Sequence, residues 1–255
     1  MITIKNEKDI ENLKVGGKRI AEVLSNLEKM VAPEITSVDL NKRAEEMIKD
    51  FGDECAFLGY SPHGAKRPYP SALCVSINDE IVHGISNENP KIIKEGDIVS
   101  IDLGLTHNGM ILDSARTVIA GEGDQIAKNL VKATKEALTA GISAIKTGGH
   151  VGDIGFAVQM IAKEYGFSVA EGLAGHGVGY EVHEDPYVPN KGKKGTGEKL
   201  VSGMVIAIEP MFCEGKGKIT LAKDGFTYKT ADGMRSAHFE HTVLITKDGP
   251  EILTI

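Results

Sequence analysis

Two acidic residues flank a predicted β-turn near the middle of the chain. The turn is Asn108-Gly109, the dipeptide most typical of a two-residue hairpin. With that turn Gly104 faces Asp113, and Asp102 shares their face because side chains alternate along a strand. We expect the two carboxylates to be diagonal neighbours, roughly 7–8 Å apart at the backbone, with empty space above Gly104. Two carboxylates that point into one space repel each other unless a cation lies there, so the hairpin predicts part of a metal site.

Two further acidic residues follow apolar residues later in the chain. Glu209 follows Val205-Ile-Ala-Ile, and Glu240 lies in Ala237-His-Phe-Glu-His-Thr-Val. All four carboxylates could instead lie on solvated strand faces. Their apolar neighbours indicate burial, and because an unpaired buried charge is costly, we favour a metal site.

A glycine-rich segment adds two histidines, His176 in Gly-His-Gly-Val-Gly and His183 seven residues later. A histidine among glycines is often only a loop residue, but this pair suggests one metal ligand and one catalytic partner. Oxygen ligands with a single imidazole fit Mn, Fe(II), Co or Zn. Four carboxylates and one histidine exceed the needs of one ion. They favour two ions roughly 3.5–4 Å apart with a hydroxide between them.

Hydrophobic periodicity predicts the elements that position these residues. Helices are expected over 6–31, 37–52, 124–145 and 152–166, and strands over 73–77, 98–105, 110–119, 201–212 and 239–245. A long helix, a short helix and strands therefore occur twice, which indicates an internal repeat. Asp39-Leu recurs 114 positions later as Asp153-Ile, and Asp102 recurs 107 positions later as Glu209. In both copies of the repeat, a predicted strand thus ends at an acidic residue.

Composition narrows the class of protein. The chain has 255 residues, a net charge of −7, 41% hydrophobic and 25% charged residues, which excludes a disordered or fibrous chain. Three scattered cysteines, Cys55, Cys74 and Cys213, fit a reducing compartment without disulfides. There is no signal-peptide core and no apolar run of about 18 residues, so we expect a cytoplasmic protein with no membrane partner. The acidic balance argues against DNA as a partner.

These residues together resemble the type I methionine aminopeptidases of the bacterial kind, in the M24 metallopeptidase family. The motifs that carry the resemblance are His83 in Val-His-Gly-Ile, Asp102, Asp113, Gly-His176-Gly-Val-Gly, His183, Glu209 in Ile-Glu-Pro, and Glu240. The resemblance covers nearly the whole chain. It implies an α+β pita-bread fold, a pseudo-two-fold antiparallel β-sheet flanked by two helix pairs. It also implies one catalytic domain over 1–255, with half-repeats of roughly 1–121 and 122–255.

The resemblance further implies the cofactors and the role of each ligand. Two divalent metal ions (Co, Mn, Fe(II) or Zn) would be bound. Asp102 would bind the first, His176 and Glu209 the second, and Asp113 and Glu240 would bridge both. The implied reaction is removal of the initiator methionine from peptides and nascent chains, preferring a small second residue, by attack of the bridging hydroxide on the first peptide bond.

Three residues would act on the substrate directly. His83 would contact it near the scissile nitrogen, and His183 would hydrogen-bond the carbonyl and support the tetrahedral intermediate. Glu209 would also shuttle a proton as general base. A methionine-sized pocket would be lined by Tyr60, Tyr69, Cys74 and Phe226. Phe57 fits either this pocket or the ordinary core.

Some positions depart from the family or extend it. Ser61–Pro68 is longer than the usual linker, Phe226 replaces a frequent tryptophan, and Val182 replaces a frequent aromatic residue, so we expect altered tolerance in the pocket. Asn78 and Ser236 match positions that hold a Na or K ion. A loop with Lys191, Lys193 and Lys194 is either a solvated loop or a transient ribosome contact. We expect a monomer.

Three alternatives stay open at this stage. A prolidase or aminopeptidase P would have a similar site but normally an extra amino-terminal domain, and a type II methionine aminopeptidase would need an insertion between His176 and Glu209. An inactive binding protein would be expected to lack a ligand residue, whereas all five are present. A two-metal phosphoesterase would need cationic phosphate clamps, and only Arg116 lies beside a ligand in the sequence.

Overall fold

The computed structural model describes residues 2–61 and 64–255, and four helices within them occur as two pairs. They are α1 (Glu7–Met30), α2 (Ser37–Asp50), α3 (Gln125–Ser143) and α4 (Val151–Tyr165). All four match predicted helices within two or three residues at each end. The N-cap of α2 is Thr36, whose side-chain oxygen accepts a hydrogen bond from the Asp39 N–H, while the Ser37 hydroxyl donates to the Ser86 carbonyl at 2.7 Å. None of the described helices is long and apolar enough to cross a membrane.

The strands form antiparallel sheets. In chain order they are β1 (Glu54–Cys55), β2 (Leu73–Ile77), β3 (Glu80–Val82), β4 (Ile98–His107), β5 (Met110–Ile119), β6 (Ser168–Val169), β7 (Ala174–Gly177), β8 (Glu184–Pro189), β9 (Val205–Ile208), β10 (Met211–Cys213), β11 (Ile219–Leu221), β12 (Tyr228–Thr230), β13 (Ser236–His238), β14 (His241–Thr246) and β15 (Gly249–Ile252). One sheet pairs β4 with β5 on one edge and with β1 and β2 on the other. A second has the order β15-β14-β9-β7-β8, and two smaller ones have the orders β13-β10-β6 and β11-β12-β3.

The predicted repeat has a structural basis. β4 and β9 begin 107 residues apart, at Ile98 and Val205, and α2 and α4 begin 114 residues apart. The recurring aspartates, Asp39 and Asp153, each accept a hydrogen bond of 2.9 Å from the backbone N–H of the residue before their helix. Such a carboxylate satisfies one of the amide groups left free at a helix start. The sequence repeat therefore reflects the same helix-capping chemistry in both halves.

The prediction of one strand over 201–212 is wrong, whereas the strand predicted over 239–245 is observed as β14, which begins two residues later. The first divides into β9 and β10 at Glu209-Pro210, where the proline lacks the N–H that a sheet ladder needs. A second break lies between β13 and β14 at Glu240, whose backbone N–H donates to the Ala115 carbonyl in β5 at 2.9 Å. Each break occurs at a predicted metal ligand, and the Glu240 contact joins the two halves of the chain.

Each helix pair covers an apolar cluster on its own side of the fold. Leu24 of α1 and Leu40 of α2 pack with Ile101 of β4, and Leu130 of α3 packs with Ile206 of β9 in the second cluster. Burying each such side chain contributes about 1.5–3 kcal/mol. These two cores hold in place the strands that carry the acidic residues.

Candidate metal centre and substrate pocket

One recess brings together the five predicted metal ligands. They are Asp102 on β4, Asp113 on β5, His176 on β7, Glu209 after β9 and Glu240 between β13 and β14. The hairpin register is as predicted, with Gly104 opposite Asp113 and Asp102 opposite Ala115. The recess has a cavity volume of about 90 Å³.

The space above Gly104 is not empty, and that prediction is wrong. A Cβ atom on Gly104 would lie 2.5 Å from Cε1 of Phe57 and 3.0 Å from Cβ of Ala56. The glycine is needed there because the Phe57 ring lies directly on the strand. Phe57 also lines the recess, so this one side chain serves both of the roles that the sequence left open.

The carboxylates have the properties of a cation site. Buried oxygens of Asp102 (Oδ1), Asp113 (Oδ1) and Glu240 (Oε1) have no hydrogen-bond partner among the described residues. None of the described residues that line the recess is a lysine or an arginine. Carboxylate and imidazole atoms of Asp113, His176 and Glu240 lie within 4.8 Å of one another. Because buried charge without compensation is costly, this donor set fits divalent cations.

His176 is held in the tautomer that a metal ligand needs. Its Nδ1 lies 2.9 Å from the Gly177 carbonyl oxygen, which can only accept a hydrogen bond, so Nδ1 carries the hydrogen. The lone pair is then on Nε2. That atom faces Glu209 Oε1 at 3.4 Å and Asp113 Oδ2 at 3.9 Å. The backbone thus fixes the ring for ligation, as is usual for histidine ligands.

Burial shifts the acid–base behaviour of the whole cluster. It raises the pKa of Asp102 to about 6 and that of Glu209 to about 8. Burial, together with neighbouring carboxylates, also raises the pKa values of Asp113 and Glu240 well above the ordinary range. Desolvation lowers the pKa of His176 to about 3, so the imidazole is neutral at physiological pH. Cations would reverse the carboxylate shifts by favouring the charged forms.

Two more predicted histidines lie at the same recess. His183 Nδ1 is 2.9 Å from Tyr60 Oη, and its ring centroid is 4.4 Å from that of His176. His83 follows β3 with a φ of +60°, a conformation that is uncommon for residues other than glycine. The next residue, Gly84, lies so close to β2 that a Cβ atom would be 2.3 Å from the Val75 carbonyl oxygen.

Apolar side chains form the other end of the recess. Tyr69 and Phe226 pack edge to face with their centroids 5.2 Å apart, and Cys74 is paired with Asp102 across the β2–β4 ladder. The predicted pocket residues therefore lie together, next to the carboxylates. Val182 is also buried in this cluster.

The described part of the segment Ser61–Pro68, predicted to be longer than the usual linker, contacts the aromatic wall of the pocket through Arg67. Arg67 pairs with both carboxylate oxygens of Glu88, at 2.5 and 2.8 Å, and its guanidinium lies 5.4 Å from the Phe226 ring centroid. Pro62 and His63 lie outside the described residues. The segment thus reaches the aromatic wall of the pocket.

His238 was not identified from the sequence. It is 1% exposed, its Nε2 lies 3.3 Å from Glu209 Oε2, and neither ring nitrogen has a hydrogen-bond partner among the described residues. Its position two residues before Glu240 could have identified it in the sequence, since residues two apart share a strand face. Glu209 therefore lies between two imidazoles.

The remaining predicted residues lie outside the recess. Ser236 contacts Asn78, whose carbonyl oxygen accepts from Ser236 N–H at 2.8 Å and Oγ at 2.9 Å. These two positions are thus neighbours, and the alkali ion stays a prediction. Lys191 and Lys194 lie near α4, with Lys194 Nζ 4.7 Å from the Phe156 ring centroid. Arg116 pairs with Glu28 at 2.6 Å and does not line the recess, which removes the cationic clamp that a phosphoesterase would need.

Comparison with known proteins agrees with this geometry. The chain matches the model of metallopeptidase family M24 over residues 11–247. A methionine aminopeptidase from Aquifex aeolicus is 46% identical over 99% of this chain and 98% of its own length. The crystal structure of the methionine aminopeptidase from Thermotoga maritima has a TM-score of 0.95 and 44% identity, and it covers 100% of this chain and 99% of that one. The prolidase from Pyrococcus furiosus shares the fold, with a TM-score of 0.74 and 24% identity. The aligned region includes 99% of this chain but only 65% of the prolidase chain. The predicted pita-bread fold is confirmed.

Proposed function

Because this chain belongs to the methionine aminopeptidases of metallopeptidase family M24, we propose that it removes the N-terminal methionine from peptides and nascent proteins. One observation carries the proposal. Unpartnered carboxylate oxygens lie at the foot of an apolar pocket, so a cation site adjoins a space suited to an apolar side chain. A metal-dependent aminopeptidase that selects an apolar first residue needs both features within one residue length of each other.

We assign Asp102, Asp113, His176, Glu209 and Glu240 to two divalent ions, Co, Mn, Fe(II) or Zn. Asp113 and Glu240 are the proposed bridging ligands, as the resemblance to the family implies. Their carboxylates interact electrostatically and, with His176, offer ligand atoms within 4.8 Å of one another. When bound, the ions would supply a water molecule of lowered pKa, polarise the scissile carbonyl and anchor the free α-amino group.

The apolar end would hold the methionine side chain. Tyr69, Cys74 and Phe226 present aromatic and sulfur surfaces, which suit a thioether, and they exclude water from the neighbouring peptide bond. The second substrate residue would then lie at the carboxylate end of the recess, which His83 and His183 also line. Crowding there by the histidines favours a small side chain at that position.

Three groups of the chain would handle hydrogen bonds and protons. With Tyr60 Oη donating to Nδ1 of His183, Nε2 of that ring carries a hydrogen and can donate to the substrate carbonyl. His83 would contact the scissile nitrogen. Glu209, which lies in the recess 3.4 Å from His176 Nε2, would accept a proton from the bound water and return it to the leaving amine.

Some parts of the proposal concern the whole protein. We propose one catalytic domain of two half-repeats, in the cytoplasm and monomeric. A transient ribosome contact through Lys191, Lys193 and Lys194 and an alkali ion at Asn78 and Ser236 also belong to the proposal.

The function is tested by following methionine release from matched tripeptides. With Mn, Co or Fe(II) added, the protein should cleave Met-Ala-Ser and Met-Gly-Ser, and cleave Met-Leu-Ser and Leu-Ala-Ser far more slowly. Cleavage should disappear after chelation and return when the ion is restored. If no metal supports release from Met-Ala-Ser, or if Leu-Ala-Ser is cleaved equally well, the proposed function is wrong.

A further inference from the structure

The segment before α1 packs against the turn that carries His183. Ile2 forms a parallel bridge with Asp185, and the Lys5 N–H donates to the Gly203 carbonyl at 2.9 Å. Residues 2–5 therefore lie beside the start of β8, although the two segments are far apart in the sequence. None of these residues lines the recess.

A buried ion pair joins this segment to the turn. Lys5 Nζ donates to Glu184 Oε2 at 2.7 Å, and Thr3 Oγ1 contacts the same oxygen. The side chain of Lys5 is 0% exposed and that of Glu184 is 4% exposed. A Cβ atom on Gly179 would lie 2.4 Å from Lys5 Cε, so the lysine fills the space beside the turn.

Glu184 in turn organises the loop between β7 and β8. Its Oε1 accepts hydrogen bonds from the backbone N–H groups of Tyr180, at 2.6 Å, and Glu181, at 3.1 Å. The carboxylate therefore holds the backbone of this turn in place by accepting two of its N–H groups. His183 immediately precedes Glu184, and Val182 is buried in the pocket wall. A shift of Glu184 would therefore move both pocket residues.

The charges of this pair depend on each other. Burial lowers the pKa of Lys5, and the neighbouring Glu184 opposes that effect. Burial disfavours the Glu184 carboxylate, yet hydrogen bonds from Lys5, Thr3 and the Glu181 amide hold its pKa below the ordinary value. Removal of one partner would leave the other charge buried without compensation, which is far more disruptive than the loss of an exposed ion pair.

We propose that Lys5 is a positioning residue for His183, acting through Glu184 and the β7–β8 turn. The inference rests on the proposed function, in which His183 donates to the substrate carbonyl. Lys5 touches neither the recess nor the proposed metal ligands, so its effect is on geometry. A hydrogen-bond donor displaced by about 1 Å can lower a rate by up to about a hundredfold.

The test compares Lys5→Met, which removes the charge and keeps the length, with Lys5→Arg, which keeps the charge. Lys14→Met is the matched control, because Lys14 pairs with Glu251 at 2.8 Å while both side chains are more than 40% exposed. Each Mn-loaded variant is measured for kcat and KM on Met-Ala-Ser and for amide hydrogen exchange over residues 178–184.

Lys5→Met should lower kcat about tenfold or more while KM changes less than about twofold. Exchange over 178–184 should accelerate in this variant. Lys5→Arg should recover most of kcat, and Lys14→Met should match the unchanged protein. A Lys5→Met protein with unchanged kcat and unchanged exchange would overturn the inference.

Two further outcomes are also decisive. If Lys5→Met does not fold, Glu184→Gln replaces it, since it keeps the shape and removes the charge; a folded Glu184→Gln protein with full kcat and unchanged exchange contradicts the inference. If the unchanged protein releases no methionine, the proposed function fails. Exchange over 178–184 then still reports whether Lys5 holds the turn.

Discussion

The two ends of the recess are built differently. The charged end has three proposed ligands on β4, β5 and β7 and two, Glu209 and Glu240, where strands end, and backbone hydrogen bonds between neighbouring strands hold this end in place. The apolar end is made mainly of loop residues, with Tyr60, Tyr69 and Phe226 lying outside the strands. The first therefore has its geometry set by ladder register, and the second by side-chain packing.

This difference separates chemistry from selectivity. A ligand placed by register cannot move without disturbing two sheets, so the charged end tolerates little change. A pocket wall formed by packing can change shape while the strands stay in place. Substitutions at the charged end should therefore lower turnover, and those at the apolar end should mainly weaken substrate binding.

The largest effect is expected from Asp113→Asn. The change keeps the size of the side chain but removes a proposed bridging charge, so kcat/KM should fall by at least about a hundredfold, more than the usual loss for residues behind the ligands. The measurement is methionine release from Met-Ala-Ser in excess Mn. Asp248→Asn, in the exposed turn between β14 and β15, is the matched control and should be fully active. Retention of activity by Asp113→Asn would contradict its assignment.

A smaller effect is expected in the stability of the metal-free protein. Above about pH 7.5 the histidines are neutral in both folded and unfolded states, so their lowered pKa values no longer contribute to the pH dependence of stability. Glu209, with a pKa of about 8, keeps its proton when folded but not when unfolded. Stability should therefore fall from pH 7.5 to 8.5, by up to about 1.4 kcal/mol per pH unit for each such proton.

Thermal unfolding of the chelated protein measures this slope. A loss of 1 kcal/mol corresponds to a fall in Tm of about 2–4 °C for a domain of this size. Loading with Mn should abolish the fall, because cations stabilise the charged carboxylates. A metal-free Tm that rises or stays level across this range would show that the carboxylates are not desolvated as described.

The smallest effect is expected at the apolar end, from Phe226→Leu. It removes the ring that packs on Tyr69 and under Arg67, so KM for Met-Ala-Ser should rise about tenfold while kcat stays within about twofold. Phe156→Leu on α4 is the same change away from the recess and should leave KM unaltered. A fall in kcat without a rise in KM would contradict the proposal that the charged end determines turnover and the apolar end determines substrate binding.

The sequence predicted the charged end well because register and alternation are local rules. Asn108-Gly109 sets the hairpin, and the facing of Gly104 and Asp113 follows from it. The internal repeat could be recognised in the sequence because an aspartate at the equivalent position caps a helix in each half. Ligand types and their order were enough to identify the family.

Long-range packing was beyond those rules. Phe57 lies on Gly104 although 47 residues separate them, and His238 approaches Glu209 across a break between two sheets. The strand breaks at Glu209 and Glu240 arise because the backbone changes its pairing partner there. The contact of Lys5 with Glu184 joins residues 179 positions apart, which no periodic pattern indicates.

The central claim is that both halves of the chain supply ligands to one two-ion site. It is tested most directly by anomalous X-ray scattering from crystals soaked in Mn. We expect two peaks, both within ligand distance of Asp113 and Glu240, one adjoining Asp102 and the other His176 and Glu209. A single peak that contacts ligands from only one half, or no peak in the recess at saturating Mn, would contradict the account.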